Sequence, residues 1–307
     1  GSALVFSVTA SETNPGPSIA TVTVLGSNPS NPDWVNVTIN GPLAVTGDFQ
    51  NSGKVEVNSA GVRFNNFQNQ EGGVLTLNVA VEGVIGNQIG GTIDVNADDM
   101  TFGSNITNAG ILNLNTGNMT LGGMSNTGLI NVGENAAAVV DGLRNSGTIT
   151  VSGTVTLKSD IANGGIYGTY NVQKNGRMTV DAGLTELNSN VNNAGTITAE
   201  GALTFNGAVV GNNGLFGGTS FTFLGETSGT ASFNADDVVF GSTTAQQQIF
   251  SGQYQNLTLA GLEKKIAADI TVNGLSSNKS GVQVAAGVLT LNQLAGAGSY
   301  TVGGQGT

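Results

Sequence analysis

The chain has 307 residues, room for two ordinary domains or one long repetitive one, and only 9% are charged against roughly a quarter in an average globular protein. A net charge of −11 with nine basic residues excludes a phosphate-neutralising surface, and no apolar run approaches the roughly 20 residues that span a bilayer. The absence of Cys and His excludes disulfides, thiolate metal sites and a His-based triad. With 48 Gly, 38% hydrophobic residues and Val, Ile, Leu, Thr and Asn throughout, the composition favours strands and tight turns, so the expected class is all-β.

Residues 1–42 form the first expected segment, since all five prolines and the sole tryptophan, Trp34, fall there. Residues 3–10 alternate, with Leu4, Phe6, Val8 and Ala10 on one face, and Val22 and Val24 repeat the pattern further on. These strands are expected to cap the fold or to be donated to a neighbouring subunit, with Leu4, Phe6 and Val8 as the assembly contacts. No secretory leader is visible, which fits either a processed mature chain or a recombinant one whose Gly1-Ser2 is a cloning scar.

Residues 43–242 repeat. Turn glycines at Gly53, Gly73, Gly91, Gly110, Gly128, Gly147 and Gly165 recur at a period of about 18–20 residues, and the spacing continues less evenly through Gly176, Gly195, Gly214 and Gly229. A strand with apolar second and fourth positions follows the turn, as in Val55 and Val57, Leu112 and Leu114, or Ile149 and Val151. A second strand closes the unit, as in Met100 and Phe102 or Leu203 and Phe205. Alternation sends these side chains inward and the intervening Thr, Asn and Ser outward, so that stacked rungs share one core that no single rung could bury. The glycines are expected to supply positive φ at the corners. Asn51, Asn108, Asn126, Asn145, Asn163, Asn193 and Asn212 each stand two residues before a turn glycine. They would either stack as an axial ladder of amide hydrogen bonds or simply suit turns.

The pattern N-x-G-x-Φ-x-Φ, a turn, and a second Φ-x-Φ strand resembles filamentous-haemagglutinin-type exoproteins, and is similar to the looser repeats of autotransporter passenger domains. The resemblance covers roughly residues 43–242 and implies a right-handed parallel β-helix of about 18–20 residues per turn. Neither a secretion-domain signature nor an outer-membrane barrel accompanies it. Residues 243–307 keep strands such as NLTLAGL and GVLTLNQL but lose the clean period, and are expected to be a divergent C-terminal segment or cap.

One acidic motif occurs twice, as Asn96-Ala97-Asp98-Asp99 and Asn234-Ala235-Asp236-Asp237. Paired Asp on a β-helix is similar to polygalacturonase-like hydrolases, but those enzymes also use His and basic residues. As a calcium site each pair needs further oxygen ligands, so Asp98, Asp99, Asp236 and Asp237 are weak metal candidates beside a plain corner role. No catalytic constellation, phosphate loop or cofactor motif stands out, and the expectation is a non-enzyme without cofactors.

The leading expectation is an extracellular or cell-surface structural protein, a self-assembling filament or matrix subunit partnered by copies of itself. A monomeric adhesin or exoprotein shaft, meeting surface glycans or proteins, is the alternative. A polysaccharide-active β-helix enzyme is the weaker third. No nucleic-acid partner and no membrane span are expected.

Overall fold

The computed structural model describes residues 22–25 and 36–303. They form an all-β chain whose short strands run around a coil and stack in parallel on the preceding coil, a β-solenoid. Contacts divide the chain into two compact units, Gly1–Ile149 and Thr150–Thr307.

In the first unit the pairing register gives the period. Asn36 lies on Lys54, Lys54 on Val74, Val74 on Thr92, Thr92 on Ile111 and Ile111 on Leu129, the even stepping of a solenoid repeat. A second wall is a six-stranded parallel sheet running from Leu43–Asn51 through Val62–Asn69, Glu82–Asn87, Ile106–Asn108 and Ser125–Asn126 to Arg144–Asn145. The inward positions expected from alternation are all buried, among them Val55, Val57, Leu112, Leu114, Met100 and Phe102. Val22–Leu25 is a strand, as its alternation suggests, and pairs antiparallel with Asn36–Ile39, covering an edge of the first parallel ladder. Leu4, Phe6 and Val8 lie outside the described residues.

The second unit keeps the coil. Arg177 lies on Thr196, Ala202 on Ser220, Asp237 on Asn256 and Lys264 on Val282, steps of the same size as those of the first unit. Its own second wall is an eight-stranded sheet that begins at Glu186–Leu187 and Ala202–Phe205. In-register phenylalanines fill the interior: Phe205 stacks on Phe223 and Phe223 on Phe240, with ring centroids 5.0 and 5.1 Å apart. Those distances match the strand spacing of about 4.8 Å, so each ring packs on its equivalent one coil away. Parallel pairing extends beyond 43–242, since Ser299–Val302 still lies on Gly281–Val284. Inward alternation carries the coil through Val282 and Val284, and a close-packed corner glycine recurs at Gly298.

The corner glycines play a different part from the one their residue type suggests. Gly73, Gly91, Gly110, Gly128 and Gly147 are not among the residues with positive φ; Gly72 (φ 75°) and Gly90 (φ 80°) are. A Cβ on Gly110, Gly128 or Gly147 would be driven into the carbonyl oxygen of Gly91, Gly110 or Gly128. The repeat therefore demands glycine because consecutive corners touch backbone to backbone. Of the marked positions, Gly165 (φ 82°) and Gly229 (φ 90°) do use the left-handed region.

The asparagine ladder exists, with a changed membership. Asn51, Asn69, Asn87, Asn108, Asn126 and Asn145 are buried and joined Nδ2 to Oδ1, each donating to the next at 2.8, 2.9, 2.7, 2.7 and 2.7 Å. Their Nδ2 groups also donate to carbonyls of the next coil, such as Thr92 O at 2.8 Å and Ile111 O at 2.9 Å. Oδ1 of Asn51 and of Asn145 accepts the N–H two residues on, from Gly53 and Gly147. Asn69 and Asn87 escape the sequence pattern because an inserted pair (Glu71-Gly72, Ile89-Gly90) moves the glycine further along the chain. Asn163 and Asn212 belong to no ladder: the first forms an antiparallel bridge with Ile166 and the second is exposed. An outer string, Asn40–Asn58–Asn78–Asn96–Asn115, runs the other way, each residue donating to the one before it.

Two substitutions separate close approach from φ. Gly128→Ala should destabilise by about 3 kcal/mol through overpacking, whereas Gly72→Ala, whose side faces open space, should cost about 1 kcal/mol through its φ alone. Urea melts of both variants check the order. For the ladder, Asn108→Asp should be worse than the smaller Asn108→Ala. The carboxylate cannot donate to Asn126 Oδ1 or Leu129 O, and it buries a charge beside them. Thermal unfolding at pH 7 reads the ranking.

Candidate functional site

The two copies of the Asn-Ala-Asp-Asp motif fold into different settings. In the first, Asn96 sits in the outer ladder and Asp98 Oδ1 accepts the Asn118 N–H at 2.7 Å and the Asp99 N–H at 3.0 Å. Asp99 turns the chain with φ 55°. This copy is a corner whose polar atoms serve the coil above.

In the second copy the pairing with the coil above is interrupted. Thr227–Asn234 lies on Val209–Gly217 below it. Thr227 still pairs with Gln247 and its hydroxyl donates to Gln248 O at 2.8 Å, and Thr230 bridges Ser251. Among the described residues, however, no ladder joins Ala231–Asn234 to Gly252–Tyr254, which pairs on its other side with Ile270–Asn278. Phe233 nevertheless stacks on Tyr254 at 5.0 Å, so the interior stays closed across the break in the ladder. Normal pairing returns at Asn256, whose N–H donates to Asp236 O at 3.0 Å.

The result is a cleft of about 540 Å³ lined by Phe233, Asn234, Asp236, Gln253, Gln255 and Asn273. Its floor is the half-buried Phe233 and the buried Tyr254, whose hydroxyl donates to Phe250 O at 2.6 Å. The side chains of Asn234, Asp236, Gln253, Gln255 and Asn273 are exposed, and none forms a hydrogen bond within the described residues. Of the four metal candidates, Asp236 lines this cleft. Asp237 accepts from Asn256 Nδ2 at 3.1 Å on the strand beside it. Among the described residues no group of three or more His, Cys, Asp or Glu is placed to share an ion. The cleft is not legible from spacing, because it arises where two coils fail to pair.

The second unit also holds a buried polar corner and a hairpin. Lys264–Lys265, the only basic doublet, is split by strand alternation: Lys264 is fully buried and Lys265 exposed. The Lys264 amine donates to Leu262 O at 2.7 Å and Ser242 O at 3.3 Å, while neighbouring Gln247 donates to Phe223 O and Gly225 O. These long side chains satisfy corner carbonyls, as the asparagines do in the first unit. From Thr154 to its partner Arg177 the register step is longer than those around it. The extra chain forms a turn at Gly164 and Gly165, both left-handed, closed by the Asn163–Ile166 bridge. Ile161, Ile166 and Tyr167 are exposed on it. Asp160 roots the hairpin, accepting from the N–H groups of Asn188 and Ser189 and from Ser189 Oγ at 2.6, 2.9 and 2.6 Å.

Comparison with family models, with curated proteins and with solved structures returns no match for the chain.

Lys264 gives stability a definite pH dependence. Burial lowers its pKa from the ordinary 10.5 to about 8. Between those values the unfolded chain holds the extra proton, so stability rises with pH across the window. Tyr170 and Tyr254 act in the opposite sense further up. Burial, aided at Tyr170 by the Asp160 carboxylate, keeps them protonated above 10.0, and stability falls beyond that point. Melting temperatures from pH 7 to 11 should therefore climb from about 8, peak near 10 and decline. Lys264→Met should remove the climb and leave the decline.

Proposed function

We propose that the chain is a non-catalytic structural subunit that acts outside the cell and polymerises head to tail, each copy extending the β-solenoid of the next. The last described coil carries this reading. Register places Leu289, Leu291, Leu294, Tyr300 and Val302 above Ile270, Val272, Ser276, Val282 and Val284, all of which are buried. On that coil the equivalent positions are more open, with Leu289, Leu291 and Tyr300 half-buried and Leu294 59% and Val302 56% exposed. In the first described coil, by contrast, Val37 and Ile39 are each 2% exposed. An apolar coil face whose strand edge has no partner among the described residues can take another chain as its next strand. The occupant we assign is the N-terminal segment of a second copy, whose residues 3–10 alternate Leu4, Phe6 and Val8 on one face. A contact of this kind joins unlike surfaces and does not close, so it generates a fibre. The filamentous-haemagglutinin-type resemblance and the Cys-free, acidic composition support placing such a subunit at a cell surface.

A second reading, the shaft of a monomeric adhesin, is favoured by the hairpin that presents Ile161, Ile166 and Tyr167 away from the coil. Deleting residues 1–10 discriminates the two. Under the polymer reading the wild type forms fibres by electron microscopy and light scattering, and the shortened chain keeps its circular dichroism but stays monomeric. Fibres from the shortened chain, or a wild type that never assembles, would sink the donated-strand polymer and leave the shaft.

A further inference from the structure

We propose that the cleft over Phe233 and Tyr254 is a binding site for a neutral, polyhydroxylated ligand, a short uncharged oligosaccharide. The contrast between the two copies of one motif motivates it. Asn96 and Asp98 are engaged by neighbouring coils, whereas Asn234 and Asp236 face open space together with Gln253, Gln255 and Asn273. Elsewhere the outward amides pair along the stack, as Asn58 with Asn78, Asn113 with Asn131 and Asn188 with Asn206. Here four amides and a carboxylate converge on a concavity with no partner among the described residues.

The chemistry of the lining selects the ligand class. A primary amide both donates and accepts, which matches a hydroxyl group that does the same. An anionic sugar or phosphate would meet no cation in the lining and one carboxylate, in a chain of net charge −11. A divalent cation would find a single acid, short of the charge that tight oxygen sites supply. An inserted β-strand is excluded by the Phe233–Tyr254 stack, since rings 5.0 Å apart leave the coils one ordinary strand spacing from each other. The volume of about 540 Å³ falls within the range of small-molecule sites and exceeds the needs of an ion. The half-buried Phe233 and the unpaired strand edges add an apolar patch and peptide groups to the floor.

The test is saturation-transfer NMR and calorimetry on the whole chain with cellotriose, maltotriose and mannotriose, with tri-galacturonate and calcium chloride as controls. The expected result is transfer to at least one neutral trisaccharide, unaffected by EDTA. Gln253→Ala and Asn273→Ala should each weaken binding about 3- to 10-fold. Asp236→Asn, which keeps an acceptor, should retain it within about 3-fold, and Thr101→Ala in the first unit should leave it unchanged. Three outcomes overturn the proposal: no neutral trisaccharide binds, binding ignores the cleft variants, or binding needs calcium and is abolished by Asp236→Asn. Because the cleft residues lie on the wall of the second unit, fibre formation or its loss leaves this result readable.

Discussion

Everything in the first unit hangs on the contact between one corner and the next. Stacked strands sit about 4.8 Å apart, and at the Asn-x-Gly corner that distance is filled by backbone alone. The Gly128 α-carbon rests against the Gly110 carbonyl and Gly147 against Gly128. So tight a turn would strand several peptide groups inside the coil, at a cost of about 1–3 kcal/mol each if unpaired. The buried asparagine two residues earlier resolves this. Its oxygen takes an N–H at the corner and its nitrogen a carbonyl of the coil above, with the leftover bond spent on the neighbouring asparagine. The glycine makes the corner possible and the asparagine keeps it saturated.

The second unit solves the same problem with different side chains. Asn193 and Asn278 repeat the Asn51 arrangement singly, each accepting the N–H two residues on. Gln247 and Lys264 then reach the corner carbonyls from further away. The corners stay as tight, since a Cβ on Gly225 or Gly261 would meet Gly207 O or Ser242 O, and aromatic stacking from Phe205 to Phe240 adds axial order to the core. Even so, these coils do not pair along their whole length. The cleft over Phe233 opens where they do not.

This division explains what was legible in the residues. Class, period and the inward set were, because alternation and a recurring glycine spacing report directly on which side chains share a core. The buried pairs Val55 and Val57 or Leu203 and Phe205 could be read off one by one. The reason for the glycines was not, since residue identity cannot tell a left-handed turn from a place with no room for a side chain. Asn69 and Asn87 were hidden by added residues that shift the glycine but not the amide. The cleft and the Asp160 anchor depend on contacts between residues far apart along the chain, and on pairing that is missing as much as pairing that is made. Such features leave no trace in spacing.

The long step from Thr154 to Arg177 carries a lesson about how such chains can change. The extra residues are absorbed by a hairpin tied down at its root by Asp160, and the following step, from Arg177 to Thr196, returns to the ordinary length. A solenoid corner is thus a splice point: chain can be added there without rephasing the coils that follow. Length variation, grafted loops or displayed peptides should be accepted at Gly164-Gly165 with little penalty to the stack, which makes this turn the natural port for evolving, or engineering, new surface chemistry onto an unchanged frame.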